Sequence, residues 1–309
     1  MLEQYQKFNR SFSNQLIFRF NSGSGFYSEF NNMILAMLYC LENKIRFSIC
    51  SQDGLLTLKH GWQDYFLPFC DEVNDEFNFR YNQRLRTKDL KKLRAKLKIG
   101  YYKRRHNIDY LTQDIFIKSR NYYKNKIDPL AIPELGLSGH VQEVAKALTA
   151  MVYRFTPEVE AKIQAIKTTL ELPEKYAAMQ VRGGDKITEF RCFPPLDYMK
   201  VLQTETKLKE VFILTDDYTL FQELQSGFPD YRFYTLCRPE ERGYFMNQLV
   251  ELSKEQRYNE HIKLLASMEI IRDSVQAVVP FNANPGMFLG ICPHKTILSG
   301  VDSKDWQLI

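Results

Sequence analysis

A chain of 309 residues that is 44% hydrophobic, 14% aromatic and 26% charged has room for two ordinary domains and too much apolar content for a disordered, collagenous or low-complexity protein. Its formal net charge of +5 divides unevenly: residues 1–150 carry 23 Lys and Arg against 15 Asp and Glu, whereas residues 151–309 carry 19 against 22. No run approaches the ~18 to 20 apolar residues of a membrane span, and MLEQYQKFNR has no apolar run behind a basic flank, so neither a spanning helix nor a secretory leader is expected.

The first element is a strand over Gln15 to Phe20, followed by the turn NSGSG at 21–25 and a helix capped by Ser28 that carries Phe30, Ile34, Met37, Leu38 and Leu41 on one face. Arg46 to Cys50 resumes an extended pattern. Strand, helix and strand make a βαβ unit and imply a parallel sheet. Most of the basic excess then falls in Arg84 to Arg105, where eleven Lys and Arg face one acid, Asp89. Such a run can attract phosphate, nucleic acid or an anionic membrane face. It also reads as a solvated helix whose Leu85, Leu90, Leu93 and Leu97 pack inward.

The second half repeats the grammar. Thr156-Pro157-Glu158 starts a helix to about residue 170, with Val159, Ile163, Ile166 and Leu170 on one stripe. YAAMQV (176–181), VFILT (211–215) and AVVPF (277–281) are short continuous apolar runs that need cover on both faces, and helical stretches separate them. A doubly wound α/β domain is therefore expected from residue 172 onward, after a first α/β domain over 1–171. The six cysteines (Cys40, Cys50, Cys70, Cys192, Cys237, Cys292) include no C-x-x-C pair, which offers neither a zinc site nor a compact disulfide framework and suits a reducing, cytoplasmic compartment.

Ligands of such sheets bind beyond the carboxyl ends of the strands. Three ends carry chemistry: Arg182-Gly183-Gly184-Asp185-Lys186, Asp216-Asp217, and Asn282-Ala283-Asn284-Pro285-Gly286. Two cations around glycine suit a diphosphate, since a guanidinium forks across two oxygens and glycine lets backbone N–H groups approach. The asparagines add neutral donors at a helix start, and the aspartates can accept from sugar hydroxyls. Each motif also has a plainer reading, as a turn, a helix cap and a second turn respectively. His60, His106, His140, His261 and His294 lack metal-ligand spacing and read as ordinary polar or capping residues; Trp62 and Trp306 read as packing.

MQVRGGDKITEF resembles the His-Val-Arg-Arg-Thr-Asp-Lys…Thr-Glu segment of the α1,6-fucosyltransferases, a family that includes the nodulation fucosyltransferases. VFILTDDYTLFQELQSGFPDYRFY, VVPFNANPGMFLG, GWQDYFLPFC (61–70) and GSGFYSEFNN (23–32) resemble further blocks of it in order. The likeness is patchy before residue 150 and nearly continuous over about 156–290. It implies a GT-B-like fold, two Rossmann-like domains facing across a cleft, with an acceptor side at 1–171 and a GDP-sugar side at 172–309. It implies an inverting, metal-independent transfer of fucose from GDP-fucose to a glycan hydroxyl. Arg182 matches the arginine on the β-phosphate of the leaving GDP. Lys186 and Glu189 match the lysine and glutamate at the acceptor hydroxyl, with one residue fewer between them. Gly183, Gly184, Asp185, Asp216, Asp217, Asn282, Ala283 and Asn284 fall in the donor pocket. A guanine-reading carboxylate is expected on the helix before AVVPF, where Glu269 or Asp273 can serve, although a gap-free match puts Ser267 there.

Gln180 replaces the family's guanine-side histidine and Gly183 its second arginine. These departures keep open a GT-B transferase with another nucleotide sugar, and a catalytically inactive glycan- or nucleotide-binding protein. The expected partners are the GDP-sugar, a glycan acceptor, lipid-linked or free, and the anionic inner face of a membrane met through Arg84 to Arg105; nucleic acid and a metal cofactor are not expected.

Overall fold

The computed structural model describes residues 1–20, 23–85, 87–124, 126, 128–183, 193–243 and 246–306, with only the backbone of 246 and 247. The chain divides into two compact units, the first spanning Met1–Thr156 and the second beginning at Pro157. The expected boundary after residue 171 lies one helix later. That helix, Pro157–Thr169 (α7), packs on a long helix of the second unit, and the ion pair Lys167 to Asp273 ties its end there.

In the first unit, α1 (Leu2–Arg10) leads into β1 (Asn14–Arg19), α2 (Phe26–Glu42) and β2 (Ile45–Cys50). β1 and β2 are parallel, with Asn14 opposite Ile45 and Arg19 opposite Cys50, which is the βαβ unit the sequence implies. α2 begins earlier than expected: Gly25 is its N-cap and Ser28 lies within its first turn, its N–H donating to the Gly25 carbonyl. The expected apolar face is buried, and so are Met33 and Leu35, because the sheet, α5 and α6 surround the helix. β3 (Asp71–Glu72), α3 (Glu76–Tyr81), α4 (Leu93–His106), β4 (Tyr110–Leu111) and α5 (Thr112–Lys124) follow, and then the antiparallel pair β5 (Leu130–Ile132) and β6 (Leu137–Gly139) and α6 (Val141–Val152). The main sheet is parallel throughout, in the order β3-β2-β1-β4. Trp62 is buried among Phe20, Phe30, Phe66 and Phe69, a core role as expected.

The basic segment departs from the inward-leucine reading. Among the four leucines only Leu90 is buried. The buried face of α4 is instead Ala95 and Tyr102, with Ile99 half-buried between them. Tyr102 stacks on Phe77 with ring centroids 3.8 Å apart, donates its hydroxyl to Asp75 at 2.6 Å and accepts from Asn78 at 2.8 Å. A large aromatic with a paired hydroxyl outcompetes leucine for that interface and fixes the rotation of the helix. Arg84 also turns inward, beside Glu29 and over the Phe116 ring.

In the second unit, α7 precedes β7 (Ala177–Gln180), α8 (Pro195–Glu205), β8 (Glu210–Leu214), α9 (Tyr218–Gly227) and β9 (Arg232–Thr235). α10 (Met246–Glu251), α11 (Lys254–Asp273), β10 (Gln276–Val279), α12 (Asn284–Ile291) and β11 (Ile297–Gly300) complete it. The five strands are all parallel, in the order β11-β10-β7-β8-β9. β7, β8 and β10 are almost wholly buried, as helix-covered parallel strands must be.

A polar side chain completes the first sheet. Among the described residues no strand flanks the outer side of β2 at Phe47, since β3 pairs with Ser48 and Ile49. The buried Asn9 side chain of α1 takes that place, its Oδ1 accepting from Phe47 N–H at 2.7 Å and its Nδ2 donating to the Phe47 carbonyl at 2.9 Å. Asn9→Ala leaves two buried main-chain groups unmatched and is expected to cost about 1–3 kcal/mol. Urea unfolding checks this, and an unchanged midpoint contradicts it.

Candidate active site

The strand order of the second unit makes the site. From β7 the chain winds outward through β8 and β9, then returns to the other flank of β7 as β10 and β11. The direction therefore reverses between β7 and β10, and at such a switch point the loops leaving neighbouring strands diverge and open a crevice over their carboxyl ends. The three sequence motifs follow β7, β8 and β10, which are adjacent strands. Arg182-Gly183 thus has Asp216-Asp217 on one side and Asn282-Ala283-Asn284 on the other.

Local hydrogen bonds hold these ends together. Val181 N–H donates to the Leu214 carbonyl at 2.9 Å, and Gly183 N–H donates to Asp216 Oδ1 at 2.8 Å. Asp217 caps α9, its carboxylate accepting from Thr219 N–H at 2.9 Å and from the Thr219 hydroxyl at 2.7 Å. The plain capping role therefore describes Asp217, while Asp216 fastens the turn after β7. A Cβ built on Gly183 would lie 2.9 Å from Asp217 Cβ and 3.3 Å from Leu220 Cδ1. The glycine that stands in place of an arginine is what lets the two turns meet.

Arg182 is half-buried, and its Nε is enclosed without a partner among the described residues. Gln180, 4% exposed at the end of β7, has an enclosed Oε1 in the same condition. Beyond β10, Asp302 accepts from the N–H groups of Phe281 and Asn282, each at 2.8 Å, and so fixes the turn into α12. Nothing in the sequence singled out Asp302. Asn282 is exposed, Ala283 and Asn284 are half-buried, and Ala283 as N-cap supplies no side-chain acceptor to the first turn of α12. Gly286 permits that turn to abut β10, since a Cβ there would sit 2.1 Å from the Pro280 carbonyl oxygen. Trp306 donates to the Gly286 carbonyl at 3.1 Å, a packing role.

Glu269 and Asp273 lie elsewhere. The Glu269 carboxylate takes both oxygens to Arg272 at 2.6 Å, and burial raises its pKa despite that partner. Arg272 in turn donates to the Pro293 carbonyl ahead of β11, and Val275, just past the helix, donates to the Tyr176 carbonyl ahead of β7. This is the amino-terminal edge of the sheet, opposite the strand ends that carry Arg182. Ser267 is buried and donates to the Lys263 carbonyl. Gly184, Asp185, Lys186 and Glu189 lie outside the described residues, as does Cys192. The other five cysteines are free thiols. Among the described residues no group of three His, Cys, Asp or Glu is placed to hold a metal ion, and no helix is long and apolar enough to cross a membrane.

A second polar cluster, unread in the sequence, sits at the carboxyl ends of β1 and β2 in the first unit. Arg19 donates to both Asp53 oxygens, at 3.3 and 2.5 Å, and to the Asn82 carbonyl at 3.1 Å, while Ser51 donates to Glu72 at 3.2 Å.

This chain is similar in structure to the α1,6-fucosyltransferase NodZ soaked with GDP-fucose, at 12% identity over 91% of this chain and 93% of that one, with a TM-score of 0.52. It is similar also to the fucosyltransferase NodZ from Bradyrhizobium, at 11% identity over 90% and 92% of the two chains, with a TM-score of 0.51. No protein-family model and no curated protein sequence matches it. The resemblance read from the motifs thus holds at the level of fold, α/β with two parallel-sheet units of the GT-B kind.

The close approach at Gly183 is testable. Gly183→Ala forces a methyl into contact with Asp217 and is expected to lower stability by roughly 1–3 kcal/mol. Wild-type stability of that variant in chemical denaturation contradicts the contact.

Proposed function

We propose that this chain is an inverting glycosyltransferase that moves fucose from GDP-fucose to a glycan hydroxyl, without a metal, and that the carboxyl edge of the second sheet holds the donor. The observation that carries the reading is the adjacency of the three motif-bearing strand ends at a switch point, with the Arg182 guanidinium partly enclosed there and its Nε without a partner among the described residues. A cation left in that condition is suited to an anionic ligand.

In the proposed step the acceptor oxygen attacks the anomeric carbon as its bond to the diphosphate oxygen breaks, and the electron pair leaves with GDP. Arg182 offsets the charge growing on that diphosphate. Asn282 and Asn284, at the start of α12, add neutral donors to the diphosphate. Gly183, with Gly184 and Asp185 of the same motif, serves the donor, and Glu189, with Lys186, takes the acceptor proton. Asp216 acts through Gly183, as a positioning residue. The absence of a metal role is supported by the hydrogen bonds that occupy Asp216 and Asp217. Free thiols support a cytoplasmic setting, and the basic helix α4 supports action on a lipid-linked glycan at the inner membrane face.

A second reading, a different nucleotide sugar, is favoured by Gln180. Its buried Oε1, without a partner among the described residues, stands where the resembling family has a histidine, and Gly183 stands where that family has a second cation. Glu269, committed to Arg272, is not assigned to the base-reading role.

The test is product formation from GDP-fucose and other GDP-sugars on a glycan panel, read by mass spectrometry and by the anomeric configuration in NMR. Transfer with inversion, undiminished by excess EDTA, is expected. Arg182→Ala should lose on the order of 10²- to 10³-fold in turnover while remaining folded. Near-native turnover of that variant removes Arg182 from the mechanism, loss of activity on chelation with recovery in manganese returns the aspartates to metal binding, and transfer from another GDP-sugar alone selects the second reading.

A further inference from the structure

We propose that α4 is an interfacial helix that docks the first unit on an anionic lipid bilayer, with Leu93, Leu97 and Tyr101 entering the headgroup layer. These residues recur every fourth position on one face and are 72%, 65% and 65% exposed. The opposite face is the one anchored by Ala95 and Tyr102, so the apolar stripe cannot be rolled inward without breaking the Tyr102 stack and its two hydrogen bonds. Helical rotation places Arg94, Lys98 and Arg105 along one side of the stripe and Lys96 and Lys103 along the other, with Arg104 within it. The helix contains no acidic residue. Lys103 is held by Asp114 and Lys98 leans on Tyr81, while Arg94, Lys96 and Arg104 have no carboxylate within ion-pair distance among the described residues.

The two features together select the partner. Cations alone would suit any polyanion, but leucines displayed between them cost solvation unless they are covered. An apolar stripe bordered by Lys and Arg on a helix parallel to the surface matches a bilayer, where the stripe reaches the acyl boundary and the cations meet lipid phosphates. Exposed Leu85, and Lys88 and Lys91 just ahead of α4, extend the same character. This inference deepens the membrane part of the proposed function and stands independently of its donor chemistry.

Sedimentation of the full chain with vesicles tests it, with GDP affinity measured on every variant. Wild type is expected to bind phosphatidylcholine vesicles containing phosphatidylglycerol, more weakly as salt rises, and to leave pure phosphatidylcholine vesicles unbound. Reversal of Arg94, Lys96 and Arg104 to Glu should lower partitioning on the order of 100-fold. Leu93→Gln with Leu97→Gln, which removes no charge, should lower it at least about tenfold. Both sets should keep GDP affinity, which separates this test from any failure of the donor site. Absence of wild-type binding at low salt overturns the proposal. So does loss on charge reversal with wild-type binding by the leucine variant, which would mark a face for an acidic polymer.

Discussion

The five described strands of the second unit run in one direction, and that constraint shapes the candidate donor site. Parallel strands joined by helices bury both faces of the sheet, so the strand interiors can carry only apolar residues, and polar chemistry is pushed to the ends. Met179, Phe212, Ile213, Val278 and Val279 are fully buried; Arg182, Asp216 and Asn282 begin where that burial stops. The reversal of winding between β7 and β10 then decides which ends become neighbours.

At those ends the residues divide into those that could meet a ligand and those that hold the turns. Asp216 secures Gly183, Asp217 caps α9, and Asp302 secures the turn into α12. Three carboxylates are thus spent on backbone N–H groups, each an interaction that organises a loop more firmly than a neutral acceptor would. The segment after β9 joins them: Gly243 N–H donates to the Asp216 carbonyl at 2.7 Å, and Tyr218 N–H to the Glu241 carbonyl at 3.0 Å, with Glu241 itself paired to Lys263 and Arg238. In the proposed reaction, turns fastened in this way preorganise the Arg182 guanidinium for the charge that develops on the diphosphate.

The sequence made the buried strands legible because β7, β8 and β10 are continuous apolar runs, and it placed the three motifs at their ends. It did not reveal β9 and β11, which lie at the sheet edges, are partly exposed and have no such run. Nor did it show that the motifs are neighbours, since strand order depends on packing between distant segments. Glu269 looked available by type and helix position, but the i, i+3 pairing with Arg272 and the direction of α11 take it to the far edge. The α4 leucines misled because near-helical spacing does not say which face wins, and Tyr102 with Phe77 offers the better interface. Gly183 was legible as a glycine that lets backbone approach a diphosphate and as a missing arginine; its role as the point where two turns touch needed the fold.

The central claim is that the carboxyl edge of β10, β7 and β8 receives a nucleotide diphosphate. Amide hydrogen exchange with and without GDP measures this most directly, because it reports where along the chain binding slows exchange. The account predicts protection concentrated at 181–183, 216–219 and 282–287. Protection confined to the first unit, or none at GDP concentrations that saturate a binding signal, would contradict it.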